Sequence, residues 1–151
     1  MKKLLFGCGL VLFACSLVWA QRERLPYSII FSGTTGTAVT ADNFFVLGGG
    51  VASTTESAVE TGVPVNGIFQ TLRCRLNLVN DSDEIWVITL RVAGASTGVT
   101  CTIAESAQTC SNLVNTAPVE VGQRVDFNFD TTAGAAPSAS VRCSIYLKEY
   151  F

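Results

Sequence analysis

The chain has 151 residues, with 10 Lys and Arg against 12 Asp and Glu, no histidine and a formal net charge of −2. Lacking histidine, it has no Ser–His or Cys–His nucleophilic site and no histidine-ligated metal. The acidic balance leaves no electrostatic footprint for nucleic acid, and the length suits a leader followed by one domain with its own core.

In chain order, Lys2 and Lys3 open a positive segment and Leu4 to Val18 form an apolar run. Val18-Trp19-Ala20 places small or modest side chains where signal peptidase cuts. Residues 1–20 are therefore expected to be a signal peptide, with cleavage between Ala20 and Gln21. A lipoprotein box at Leu12-Phe13-Ala14-Cys15 is a rival reading, but Phe13 is bulky for its position and the apolar run continues past Cys15. A retained anchor helix is a second rival. Cleavage removes Lys2 and Lys3, leaving 8 basic against 12 acidic residues and a net charge of −4. Residues 21–27, with their charged QRER, read as a short linker, and 28–151 as a single domain. The expected location is secreted, periplasmic or cell-surface, with no membrane span in the mature form.

Strands follow. "SIIF" and "NFFVLG" read as two early strands, the second broken by Gly48-Gly49-Gly50. In "TLRCRLNLV", Leu72, Cys74, Leu76 and Leu78 share one face, opposite Thr71, Arg73, Arg75 and Asn77. In "EIWVITLRV", Trp86, Ile88, Leu90 and Val92 align, and "QRVDFNFD" buries Val125, Phe127 and Phe129. "SVRCSIYLKEYF" alternates Val141, Cys143, Ile145 and Leu147 with Arg142, Ser144, Tyr146 and Lys148. Such period-two patterns belong to strands with one buried and one wet face. Turn signals fall at Asn66-Gly67, Asn80 to Asp83, Ala93-Gly94, Gly122 and Gly134 to Pro137. The sum is an all-β antiparallel sandwich or barrel.

Cys8 and Cys15 leave with the leader, and Cys74, Cys101, Cys110 and Cys143 remain. An even number in an exported chain reads as two disulfides, with three possible connectivities. If Glu105-Ser106 is a two-residue hairpin loop, Cys101 falls opposite Cys110 on a non-hydrogen-bonded pair, with Cα atoms about 4.5 Å apart. Glu-Ser is a weak two-residue turn, so a longer loop in another register stays open. That pairing leaves Cys74 for Cys143, both on the apolar faces of their strands. Loop-closure entropy gives about 2.7 kcal/mol for the short bridge and about 4.4 for the long one. A four-cysteine metal site would need CxxC spacing, which is missing.

The runs "STTESAVETGVPVNGIFQTLRCRLN", "ITLRVAGASTGVTCTIAESAQTCS" and "VEVGQRVDFNFDTTAGAAPSASVRCSIYL" resemble a group of jelly-roll modules. These occur in exported bacterial proteins, in phage structural proteins and as heads of collagen-like spore-surface proteins. Those heads are similar to the tumour-necrosis-factor and complement-head fold. The resemblance spans roughly Phe44 to Leu147. It implies a jelly roll that forms homotrimers and works on a surface, and it carries over no catalytic residue. Gly-X-Y repeats are absent, and the "NDSDEIW" connection is more acidic than the group's loops.

The remaining candidates are few. Asp81, Asp83 and Glu84 could hold calcium, but they lack the EF-hand pattern, and a solvated connection accounts for them better. Asn80-Asp81-Ser82 matches a glycosylation sequon. Arg73 and Arg75 project outward, toward solvent, an anion, a glycan or a neighbouring subunit. Trp86 is expected in the core. Tyr146 and Tyr150, flanked by Arg142 and Lys148, sit on the nominally wet face of the last strand, and tyrosine is enriched at interfaces. The expectation is a non-enzymatic exported structural or adhesive module, trimeric through that strand and without cofactor. The alternative is a small lectin-like module that binds a surface glycan.

Overall fold

The computed structural model describes residues 28–35, 43–79, 84–131 and 139–149. Among these residues the strands are β1 (Ser28–Thr34), β2 (Asn43–Phe45), β3 (Thr61–Gly62), β4 (Gly67–Leu76), β5 (Trp86–Val92), β6 (Ala95–Ile103), β7 (Thr109–Val119), β8 (Arg124–Thr131) and β9 (Val141–Glu149), with a 3₁₀ turn at Glu56–Ala58. A front sheet runs β1-β9-β4-β7 and a back sheet runs β2-β8-β5-β6, with β3 also on β8. All pairings are antiparallel.

Among the described strands, only β5 and β6 form a tight hairpin within one sheet. Its two-residue loop puts Ala93 at φ 52° and Gly94 at φ 78°, the double positive φ whose twist matches the flanking strands. Apart from β2 and β3, which both lie on β8, the other consecutive strands alternate between the sheets. The late strand β9 inserts between β1 and β4, and β8 between β2 and β5. That order is a jelly roll, an all-β sandwich of two antiparallel sheets.

The core follows from alternation. Leu72, Cys74 and Leu76 from β4 and Val141, Cys143, Ile145 and Leu147 from β9 meet Trp86, Ile88, Leu90, Val125, Phe127 and Phe129 from the back sheet, all buried. Trp86 packs against Phe129 in a tilted contact, with ring centroids 4.5 Å apart, and its indole N–H donates to Glu84 at 3.3 Å. Leu78, expected to continue the apolar face, lies beyond the end of β4 and is exposed.

β4 also departs from strict alternation. Its register shifts between Gln70 and Leu72, where Thr71 takes φ 60°. This bulge lets Phe69 and Leu72, three residues apart, both point inward. It also keeps Gln70 and Arg73 on the outer face. Gly67, read from sequence as part of a turn, instead begins β4 between two partners. A Cβ there would come within 2.7 Å of the Lys148 carbonyl oxygen, so close packing dictates the glycine.

The hairpin register expected for Cys101 and Cys110 needs correction, although both pairings hold. The turn at Glu105-Ser106 exists, with the Ala107 N–H donating to the Ala104 carbonyl at 3.0 Å. The strands it joins then part, β6 pairing with β5 and β7 with β4. The Cys101–Cys110 bridge therefore ties the two sheets together, with Cα atoms 5.6 Å apart, and is no hairpin rung. The reason is competition for partners. β6 is already satisfied by the Ala93-Gly94 hairpin, and β7 finds its ladder on β4. The sheet edges at β6 and β7 are joined by side chains instead. Asn112 donates to the Thr100 carbonyl at 2.8 Å and Asn115 to the Gly98 carbonyl at 2.7 Å.

Candidate functional site

The cysteines meet at one end of the sandwich. Cys74 on β4 lies opposite Cys110 on β7 and opposite Cys143 on β9, in one row across the front sheet. Cys74 bonds to Cys143, and Cys110 turns to Cys101 in the facing sheet. All four described cysteines are bridged, which leaves none of them as a thiolate for a metal. One bridge joins β4 to β9 within the front sheet, and the other joins β7 to β6 of the back sheet.

Directly above that staple, the outer face of the front sheet carries a shallow cleft of about 500 Å³. Strand register explains its lining. Arg73 is level with Ser144 on one side and Ser111 on the other. One step along, Arg75 is level with Arg142 and Thr109. Ser32 of β1 continues the first row beyond Ser144. The cleft is thus walled by Arg73, Arg75 and Arg142 with hydroxyls between them. Among the described residues no carboxylate pairs with any of the three. Arg75 donates only to the neutral side chain of Gln108, at 3.4 Å. The other two described arginines each hold a glutamate: Arg91–Glu56 at 2.6 Å and Arg124–Glu60 at 2.8 Å.

Further along the same face the lining changes character. Tyr146 is level with Ile30 of β1 and Gln70 of β4. Ile30 is 59% exposed and Tyr146 half-buried. Lys148 lies one step beyond, exposed and level with Ile68. The expected interface residues Arg142, Tyr146 and Lys148 therefore share one surface. Tyr150, Ala20, Gln21, Asp81 and Asp83 lie outside the described residues. Glu84, the third member of the acidic cluster, is buried and accepts the Trp86 indole, so it does not face solvent as a ligand would.

A second polar cluster sits on the opposite face, and sequence reading missed it. Asp126 of β8 is level with Arg91 of β5. The connection from β2 to β3 folds over both and delivers Glu56 and Glu60. One oxygen from each of Glu56, Glu60 and Asp126 lies within 4.8 Å of the others. Arg91 is bound in place by Glu56, the Ser96 hydroxyl, the Gly94 carbonyl and the Phe44 ring, 5.5 Å away. Asp126 is only 1% exposed, and no hydrogen-bond donor reaches either oxygen. Burial, then repulsion from Glu56 and Glu60, pushes its carboxyl up to about 7, against the opposing pull of Arg91. Three acids face two arginines, so a single proton neutralises the cluster. That balance suits a proton better than a divalent cation.

No family model and no curated protein sequence matches the chain. Among solved structures, the Eiger tumour necrosis factor from S. frugiperda is similar at 16% identity and TM-score 0.48, over 84% of this chain and 96% of that one. The structure of FLHE is similar at 15% identity and TM-score 0.36, over 81% and 98%. Both likenesses are loose, and the jelly roll stands on the strand order itself.

Proposed function

We propose that this chain is an exported, non-enzymatic jelly-roll module that assembles as a homotrimer and serves as a structural or adhesive surface component. The observation that supports it is the row Ile30–Tyr146–Gln70 at the middle of the front sheet's outer face. An isoleucine left 59% exposed beside a half-buried tyrosine is an amphipathic patch of the kind interfaces use. Two disulfides suit an oxidising compartment. Tyr146→Arg tests the assembly reading. Around a closed symmetry axis it places like charges together. The oligomer should fall to a smaller particle by light scattering, with circular dichroism unchanged. An unchanged particle would reject this surface as the interface.

A second reading, a lectin-like binding module, is favoured by the arginine-lined cleft. A glycan array on the mature protein separates the two: saturable binding supports the second, and its absence supports the first alone.

A further inference from the structure

We propose that the cleft over β9, β4 and β7 is a binding site for a tetrahedral oxyanion, a sulfate or phosphate ester carried by the ligand. The inference rests on the second reading above and gives it a ligand chemistry.

Charge placement carries the argument. Arg75 and Arg142 are level on adjacent strands, and like charges directly opposite each other destabilise a sheet. Arg73 adds a third guanidinium two residues from Arg75. Among the described residues nothing negative relieves them, although Arg91 and Arg124 each secure a glutamate elsewhere in the same domain. Among the described arginines, only these three lack an acidic partner, and they line a cleft.

Geometry narrows the ligand. Adjacent strands lie about 4.8 Å apart and alternate residues on a strand about 6.7 Å apart, so the three side chains rise from a compact triangle. Guanidinium groups present planar forks of N–H donors, and each fork satisfies two acceptor oxygens. A lone carboxylate is saturated by one fork. Three forks, with the Ser111, Ser144 and Thr109 hydroxyls around them, call for an anion with three or more oxygens and up to two charges. A sulfate or phosphate ester fits that description. A long uniform polyanion such as nucleic acid fits poorly, because the chain as a whole is net negative at −2 and the neighbouring row, Ile30, Tyr146 and Gln70, is uncharged. The site is also pre-organised. The Cys74–Cys143 bridge crosses the same two strands that present Arg75 and Arg142, so little backbone entropy is lost on binding.

The test is isothermal titration of the mature protein with inorganic sulfate and inorganic phosphate, at ionic strength matched by sodium chloride. The expected result is saturable binding that chloride does not reproduce. Arg75→Ser with Arg142→Ser should weaken it at least tenfold, whereas Arg124→Ser, on the far side, should leave it intact. Dextran sulfate and vesicles containing phosphatidate then distinguish the sources. Preference for either, lost in the double variant, supports the site and identifies the carrier. Failure of both inorganic anions to bind saturably, or equal binding by the double variant, overturns the inference. Binding of a neutral glycan that ignores Arg75 and Arg142 also overturns it, while leaving the lectin-like reading in place.

Discussion

Asp126→Asn offers a sharp test of the cluster on the back sheet. The wild-type carboxyl titrates near 3.8 in an unfolded chain and near 7 in the fold, because burial and the neighbouring Glu56 and Glu60 penalise its charge more than Arg91 relieves it. Between about pH 4 and 7 the folded state therefore holds a proton that the unfolded state has released. The sign follows: stability is greatest at the acid end of that window and falls as pH rises through 7. At about 1.4 kcal/mol per pH unit, the full loss is on the order of 4 kcal/mol by pH 8. Asparagine has nearly the same shape, cannot ionise, and brings an amide N–H that can donate to Glu56. Urea unfolding followed by circular dichroism at pH 5, 6, 7 and 8 reads both proteins. With no histidine in the chain, little else titrates in that range. The wild type should lose stability across the series, and the variant should stay nearly flat and be the more stable at pH 8. Parallel curves, or a variant weaker at every pH, would refute the reasoning.

Other outcomes follow from the same structure. Non-reducing peptide mapping should return Cys74 linked to Cys143 and Cys101 linked to Cys110, with no Cys74–Cys101 peptide. Replacing both cysteines of the long bridge with alanine should cost roughly 4 kcal/mol and both of the short bridge roughly 3, measured by urea unfolding. Gly67→Ala should cost about 1–3 kcal/mol, since its methyl meets the Lys148 carbonyl and the Leu147 side chain at 2.7 Å. Intact mass of exported material should place the N-terminus at Gln21, whereas acyl chains on Cys15 would indicate a lipoprotein.

Strand positions were legible because one buried face imposes a period of two. Trp86, Ile88 and Leu90, like Val141, Cys143, Ile145 and Leu147, end up buried as their alternation requires. The bulge at Thr71 was not legible, since nothing in "IFQTLRC" marks where alternation skips a residue. The cysteine partners came out right, but by a hairpin register that the fold does not use. Local spacing cannot say which neighbour a strand will choose once several compete. Asp126 illustrates the same limit. In "VDFNF" it takes a wet position, and only the long connection carrying Glu56 and Glu60 buries it. Arg73 and Arg75 were readable as outward. Their convergence with Arg142 depends on the last strand inserting beside β4, a long-range event with no local signature.

We propose above that the outer face of the front sheet is the working surface of an assembled protein. The most direct measurement is the mass of the wild-type mature protein in solution, by light scattering across a wide range of concentration. The expected result is three protomers per particle, held until dilution drives dissociation. A single protomer throughout would contradict it.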